Sequence, residues 1–125
     1  MSGEAPSLRA CDSAASRREM QRIHTYIGIN TLAGHTCPTG YGFGLNVRDN
    51  ATLGKVVAHA GGLPGYGSNM RWLAGRGVGA IALANSTYAP MSIMTMRMLD
   101  VLPTHGQVPP ASRPEAPEWA AAAQR

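Results

Sequence analysis

The spacing of apolar and polar positions divides the chain into short elements. Met1 to Asp12 shows no apolar periodicity and mixes Gly, Pro and Ser, the pattern of a disordered lead-in. Ser16-Arg17-Arg18-Glu19 then spells a capping box, in which a hydroxyl and a carboxylate satisfy free backbone N–H groups at a helix start. Met20 and Ile23 add one narrow apolar edge, so a short helix is expected from Ser16 to His24, with Arg17, Arg18 and Arg22 as its solvated face.

Ile27 to Pro38 is broken by glycine and mixes polar with apolar residues, a loop or weak strand. Tyr41, Phe43, Leu45 and Val47 alternate with Gly42, Gly44 and Asn46, which predicts a strand with one large-residue face, ended by a turn at Arg48-Asp49-Asn50. Lys55 to His59 is a second β run, and Ala60 to Gly65 follows as a bend dense in flexible residues. Ser68 to Leu73 and Val78 to Ala84 are further extended runs, joined by Ala74-Gly75-Arg76-Gly77, where glycine can take the positive φ of a hairpin turn. An antiparallel meander of three or four strands is expected.

Pro90 suits a helix start, and Met91, Met94, Met98 and Val101 recur at helical spacing, so a helix from Pro90 to Leu102 should pack on the sheet with these methionines filling core space. From Pro103 the chain turns to Pro, Ala and Arg, with Pro109, Pro110, Pro114 and Pro117, the composition of a disordered tail. The reading is an α+β unit over residues 13–102: an antiparallel sheet flanked by an N-terminal and a C-terminal helix, between a lead-in (1–12) and a tail (103–125).

Composition changes this picture little, except at the surface. Charged residues are 14% of the chain, well under the roughly 25% of soluble domains, which hints at faces meant for burial elsewhere. The net charge is +4, but the basic residues are scattered and aromatics are only 6%, too few for a nucleic-acid groove with stacking platforms. No stretch approaches the roughly 18 apolar residues of a membrane span, and the N-terminus has no apolar run of a secretory signal. A cytoplasmic location is the default expectation.

Few residues present themselves for chemistry. Cys11 and Cys37 form no C-x-x-C, and whether they pair is open. His35 and Cys37 could share a metal with Cys11 or His24, but the set lacks recognisable ligand spacing, and no metal or cofactor is expected. Gly40-x-Gly42 and Gly75-x-Gly77 lack the helix start and the Lys-Ser/Thr of phosphate loops. The densest signal is His59-Ala60-Gly61-Gly62-Leu63-Pro64-Gly65-Tyr66, a histidine leading into a run of glycines that lets a substrate approach main-chain N–H groups, as an oxyanion hole requires.

Tyr41-Gly42-Phe43-Gly44, then His59 to Tyr66 with Ser68, then Gly79 to Asn85, resembles the C-terminal part of a serine β-lactamase-like hydrolase. More narrowly, the stretch from Tyr41 to Val101 is similar to the class C β-lactamase, D-alanyl-D-alanine carboxypeptidase and esterase branch of the penicillin-binding-protein superfamily. The resemblance implies a partial β-lactamase-like (transpeptidase-like) fold. It places His59 and Gly61 in the third motif, His-x-Gly, where the histidine helps bind or polarise substrate, and makes the Gly62 N–H one oxyanion donor.

The same resemblance calls for Ser-x-x-Lys, whose serine is acylated, and for Tyr-x-Asn or Tyr-x-Ser. The only lysine is Lys55, with Thr52 three residues before it, so Ser-x-x-Lys is absent. Tyr66-Gly67-Ser68 matches the spelling of the second motif but follows His59, whereas the second motif precedes the third. The expectation is a remnant or fragment of a serine hydrolase, inactive alone, whose substrate when completed would be an ester, amide or β-lactam. The alternatives are one half of a split hydrolase and a non-catalytic protein that binds a partner, or itself, through a bare sheet face.

Overall fold

The computed structural model describes residues 13–109. Its elements are α1 (Ala14–Met20), β1 (Thr25–Leu32), β2 (His35–Tyr41), β3 (Asn46–Asn50), β4 (Gly54–Leu63), β5 (Tyr66–Leu73), β6 (Val78–Ala84) and α2 (Met91–Thr104). The strands form one antiparallel six-stranded sheet in sequence order. The α+β arrangement with a helix at each end is as expected, but the sheet has more strands than the three or four read from periodicity.

The extra strands come from the stretch before Val47. Ile27 to Pro38, read as a loop or weak strand, is a β1–β2 hairpin closed at Leu32↔His35 by Ala33 and Gly34, both at positive φ (51° and 90°), the geometry that matches strand twist. The expected single strand from Tyr41 to Val47 is instead two, because the chain reverses at Gly42–Leu45, where Gly42 N–H donates to Leu45 O and Gly44 takes φ 71°. Arg48-Asp49-Asn50, expected as a turn, lies in β3, and the turn follows it: Asn50 Oδ1 accepts from the N–H groups of Thr52 and Leu53 at 2.9 and 2.8 Å. The bend expected at Ala60–Gly65 shrinks to Pro64–Gly65, since β4 runs straight to Leu63.

The helices also shift. α1 is capped by Ser13, whose Oγ accepts from Ser16 N–H at 3.1 Å, so the Ser16/Glu19 box is inside the helix and not at its start. It ends at Met20 and buries none of its residues; Ile23, just beyond it, is the anchor. α2 runs through Pro103 to Thr104, and Val108 beyond it is buried in the core. Residues 1–12 and 110–125, with the expected lead-in and most of the expected tail, lie outside the described residues.

Alternation along the strands builds two apolar clusters on opposite faces. Val56 and Leu73 pack beneath α2 with Leu53, Met96, Leu99 and Val108. Val57 points the other way and packs with Ile23, Leu45 and Val47 against Tyr26 and Trp72, on what is here called the outer face. Trp72 Nε1 donates to Gln21 Oε1 at 3.1 Å, tying the end of α1 to this face. Beyond that cluster no described element covers the outer face: Leu63, Tyr66, Met70, Ile81 and Leu83 are all exposed.

The methionine stripe of α2 is rotated from its expected place. Met91, Thr95, Met96 and Leu99 are the buried residues, whereas Met94, Met98 and Val101 are exposed. The helix presents a threonine to the sheet because Asn69 and Arg71 on β5 give that hydroxyl partners.

Candidate functional site at the open end of β4

β4 outruns its neighbour. β3 pairs with it only from Gly54 to Ala58, while β5 pairs with it as far as Leu63. In an antiparallel ladder, alternate residues direct their N–H and C=O groups to opposite neighbours. Ala74 N–H donates to Lys55 O at 2.9 Å, which fixes the phase: His59, Gly61 and Leu63 bond towards β5, and Ala60 and Gly62 turn towards the side that β3 has left. Gly62 therefore holds its N–H in the plane of the sheet on an unpaired, exposed edge. Gly61 N–H, by contrast, belongs to the β4–β5 ladder.

His59 shares the outer face with Met70 and Ile81, its successive neighbours across the sheet, and is exposed. Its imidazole leaves the sheet perpendicular to the strand, while the Gly62 N–H lies in the sheet plane. The two groups sit at one strand end and address it from different directions.

Gly61 lies close to a side chain of β5. A Cβ there would stand 2.7 Å from Ser68 Oγ, which donates to Gly61 O at 3.3 Å. Ser68 is thus brought against the His-x-Gly strand, a juxtaposition that the order of motifs in the sequence does not suggest. The hairpin tip is held from the other side, where Gly65 N–H donates to Thr87 Oγ1.

Two open clefts meet at this strand end. One, about 360 Å³, is lined by Gly61, Gly62, Leu63, Tyr66, Ser68 and Leu83 among others. The other, about 480 Å³, lies between the same glycines and the start of α2 at Pro90, Ser92 and Ile93. Among the described residues neither has a charged lining residue. Backbone groups, hydroxyls and apolar surface are what a bound molecule would meet, a setting suited to a neutral carbonyl compound.

Of the suggested metal residues, His24 and His35 have different neighbours. His35 Nε2 lies 2.8 Å from Asp100 Oδ1 on the α2 face, whereas His24 lies by Glu19 and against the Phe43 ring, 4.4 Å between centroids. Cys37 is buried, and Cys11 is outside the described residues. Among the described residues no three His, Cys, Asp or Glu side chains gather as a metal site. No helix among them is long and apolar enough to cross a membrane.

Sequence reasoning missed a buried arginine pair. Arg48 and Arg71 are both buried, Arg71 against Thr95 of α2; burial, and secondly the charge of Arg48, push the Arg71 guanidinium down to about 10. Arg48 donates to the carbonyls of Asn30 and His35, while Arg71 Nη1 is buried with no hydrogen-bond partner among the described residues. Scattered basic residues in a sequence carry no signal that two will meet inside.

No protein-family model matches the chain, and neither a curated protein nor a solved structure matches it.

Proposed function

We propose that this chain is the sheet portion of a β-lactamase-like serine hydrolase, acting by acyl transfer to water on an ester, amide or β-lactam, with the acylated serine and its lysine supplied from outside this sequence. The observation that carries the reading is the Gly62 N–H, a donor outside the ladder on the exposed edge of β4 beside an uncharged cleft. As a serine attacks a carbonyl, the oxygen gains negative charge, and a preorganised N–H aimed at it stabilises the transition state. An extended acyl chain can pair with the free edge at Ala60 and Gly62, while His59 approaches from the outer face to bind or polarise it. With Lys55 the only lysine and Thr52 three residues before it, the chain by itself is expected to turn over nothing.

The test supplies the missing half. The full chain is co-expressed with a polypeptide carrying Ser-x-x-Lys and Tyr-x-Asn on the helical half of such a hydrolase, and nitrophenyl ester hydrolysis is followed. Activity should appear on assembly and vanish in Gly62→Pro, which removes an N–H the ladder does not use and so leaves the fold intact by circular dichroism. A complex that forms without hydrolysis, or hydrolysis unchanged by Gly62→Pro, overturns the reading.

The uncovered outer face favours a second reading, a non-catalytic binding protein that uses Leu63, Tyr66, Ile81 and Leu83. Saturable binding of an apolar peptide by the chain alone, with no hydrolysis on assembly, would select it.

A further inference from the structure

β6 is an outermost strand whose open side is suited to pairing. On β5, the residues Tyr66, Ser68, Met70 and Trp72 bond towards β4, so Gly67, Asn69, Arg71 and Leu73 bond towards β6. Their partners Ala84, Ala82, Ala80 and Val78 are thereby used. Gly79, Ile81 and Leu83 are left to send their N–H and C=O groups outward. The strand reads VGAIALA, with none of the charges, prolines or bulges by which natural edges are protected from pairing.

The three outward-bonding residues are symmetrical about Ile81. A second β6 laid antiparallel across a two-fold axis at Ile81 sets Ile81 against Ile81 and Gly79 against Leu83. Every outward donor and acceptor is then used, and Ala80 meets Ala82 without a clash. This is a self-complementary edge, the property that a two-fold dimer interface requires.

α2 points to the same partner. Its Asp100 reaches back over the sheet to His35 on β2 at 2.8 Å. Met94, Met98 and Val101 are between 44% and 48% exposed; by the 3.6-residue turn Met94 and Met98 lie on the flank turned away from Asp100 and so on the β6 side, with Val101 beside them nearer the top of the helix. Across a β6–β6 seam the two copies' flanks face each other, while Ile81 and Leu83, 73% and 78% exposed, meet on the outer face.

We infer that β6 is a self-association edge: two copies of this chain pair β6 with β6 about Ile81 to make one continuous sheet, with the Met94–Met98–Val101 flanks of α2 packed over the seam. The dimer leaves the open edge of β4 free and does not depend on the hydrolase reading.

The full chain, 13.1 kDa, is measured by light scattering behind size exclusion over a wide concentration range. A concentration-dependent dimer is expected. Ile81→Lys and Ile81→Glu each set like charges opposite one another on the axis and should be monomeric with unchanged circular dichroism; mixing the two restores a dimer, because the axis then joins opposite charges. Met98→Glu, on the helix flank, should weaken the dimer about tenfold or more, a change of about 1.4 kcal/mol. A wild-type chain that stays monomeric, a dimer indifferent to these substitutions, or folded charge variants that fail to reassociate when mixed would each overturn the inference.

Discussion

The Thr95 hydroxyl on α2 donates to Asn69 Oδ1 on β5 at 2.7 Å and accepts from Arg71 Nε at 3.2 Å. Thr95 is fully buried, so this one oxygen makes a polar joint inside the apolar contact between helix and sheet. Thr95→Val keeps the shape but leaves an amide oxygen and a guanidinium N–H unpaired in the interior. The cost expected for stranding such groups is about 1–3 kcal/mol, and a domain of this size loses several degrees of melting temperature for each kcal/mol. Thermal unfolding of the variant, compared with Thr95→Ser as the control that retains the hydroxyl, checks it.

Arg71 is held by the same joint, yet its charge is poorly accommodated. Burial, and secondly the nearby Arg48, push it down from its ordinary value to about 10. A base whose folded value lies below its unfolded value binds fewer protons in the native state, so its penalty is constant below about 10 and is relieved as pH rises from there towards the ordinary arginine value. Arg71→Met removes the buried charge and the partnerless Nη1 while keeping an unbranched chain, and should leave stability equal or higher near neutral pH. The gap between Arg71→Met and the wild type should then narrow above pH 10 in denaturant titrations; a variant clearly less stable at neutral pH would contradict this account.

The sequence was most informative where backbone alternation was uninterrupted. The runs that became β4, β5 and β6 and the helix beginning at Pro90–Met91 were legible. The β1–β2 hairpin was hidden because Ala33 takes a positive φ that alanine does not advertise, and because the register shifts between Tyr26 and Gly28. The rotation of α2 was hidden because Thr95, a polar residue in the buried line, counts against burial until its partners on β5 are known.

The open edge at Gly62 was hidden for a different reason. It exists because β3 begins only at Asn46, and that start depends on the reversal at Gly42–Leu45. Alternating large residues from Tyr41 to Val47 look like one strand, although the chain reverses between them at Gly42–Leu45. Whether a strand has a neighbour at a given residue is a property of the sheet, and local periodicity does not encode it.

Asn50 offers a narrower test of a turn. It is 2% exposed, and its Oδ1 accepts from two successive backbone N–H groups, of Thr52 and Leu53, ahead of Gly54 at φ 81°. Asn50→Ala strands both donors at the point where the chain turns from β3 into β4. A loss of about 1–3 kcal/mol is expected, with faster hydrogen exchange at the amides of Thr52 and Leu53 than at the centre of β5. Unchanged exchange at those two amides would show that the side chain does not hold the turn.

Gly42 tests how the N-terminal segment is seated. A Cβ at this position would lie 2.2 Å from Met20 O and 2.7 Å from Arg22 O, both backbone atoms, so no side-chain rotation relieves the clash. The chain crosses here closely enough for Phe43 N–H to donate to Met20 O at 3.0 Å. Gly42→Ala must therefore push the segment from Met20 to His24 away from the sheet, drawing Ile23 out of its cluster with Val47 and Val57. The expected loss is about 2 kcal/mol or more, the range for disrupting a packed core contact. The Trp72–Gln21 hydrogen bond should open with it, and fluorescence of Trp72, read in a background where Trp119 is replaced by phenylalanine, should shift towards that of a water-exposed indole. Gly44→Ala, where a Cβ meets nothing within 4 Å but the backbone sits at φ 71°, should cost less and leave Trp72 unchanged, which separates close approach from backbone strain within one turn.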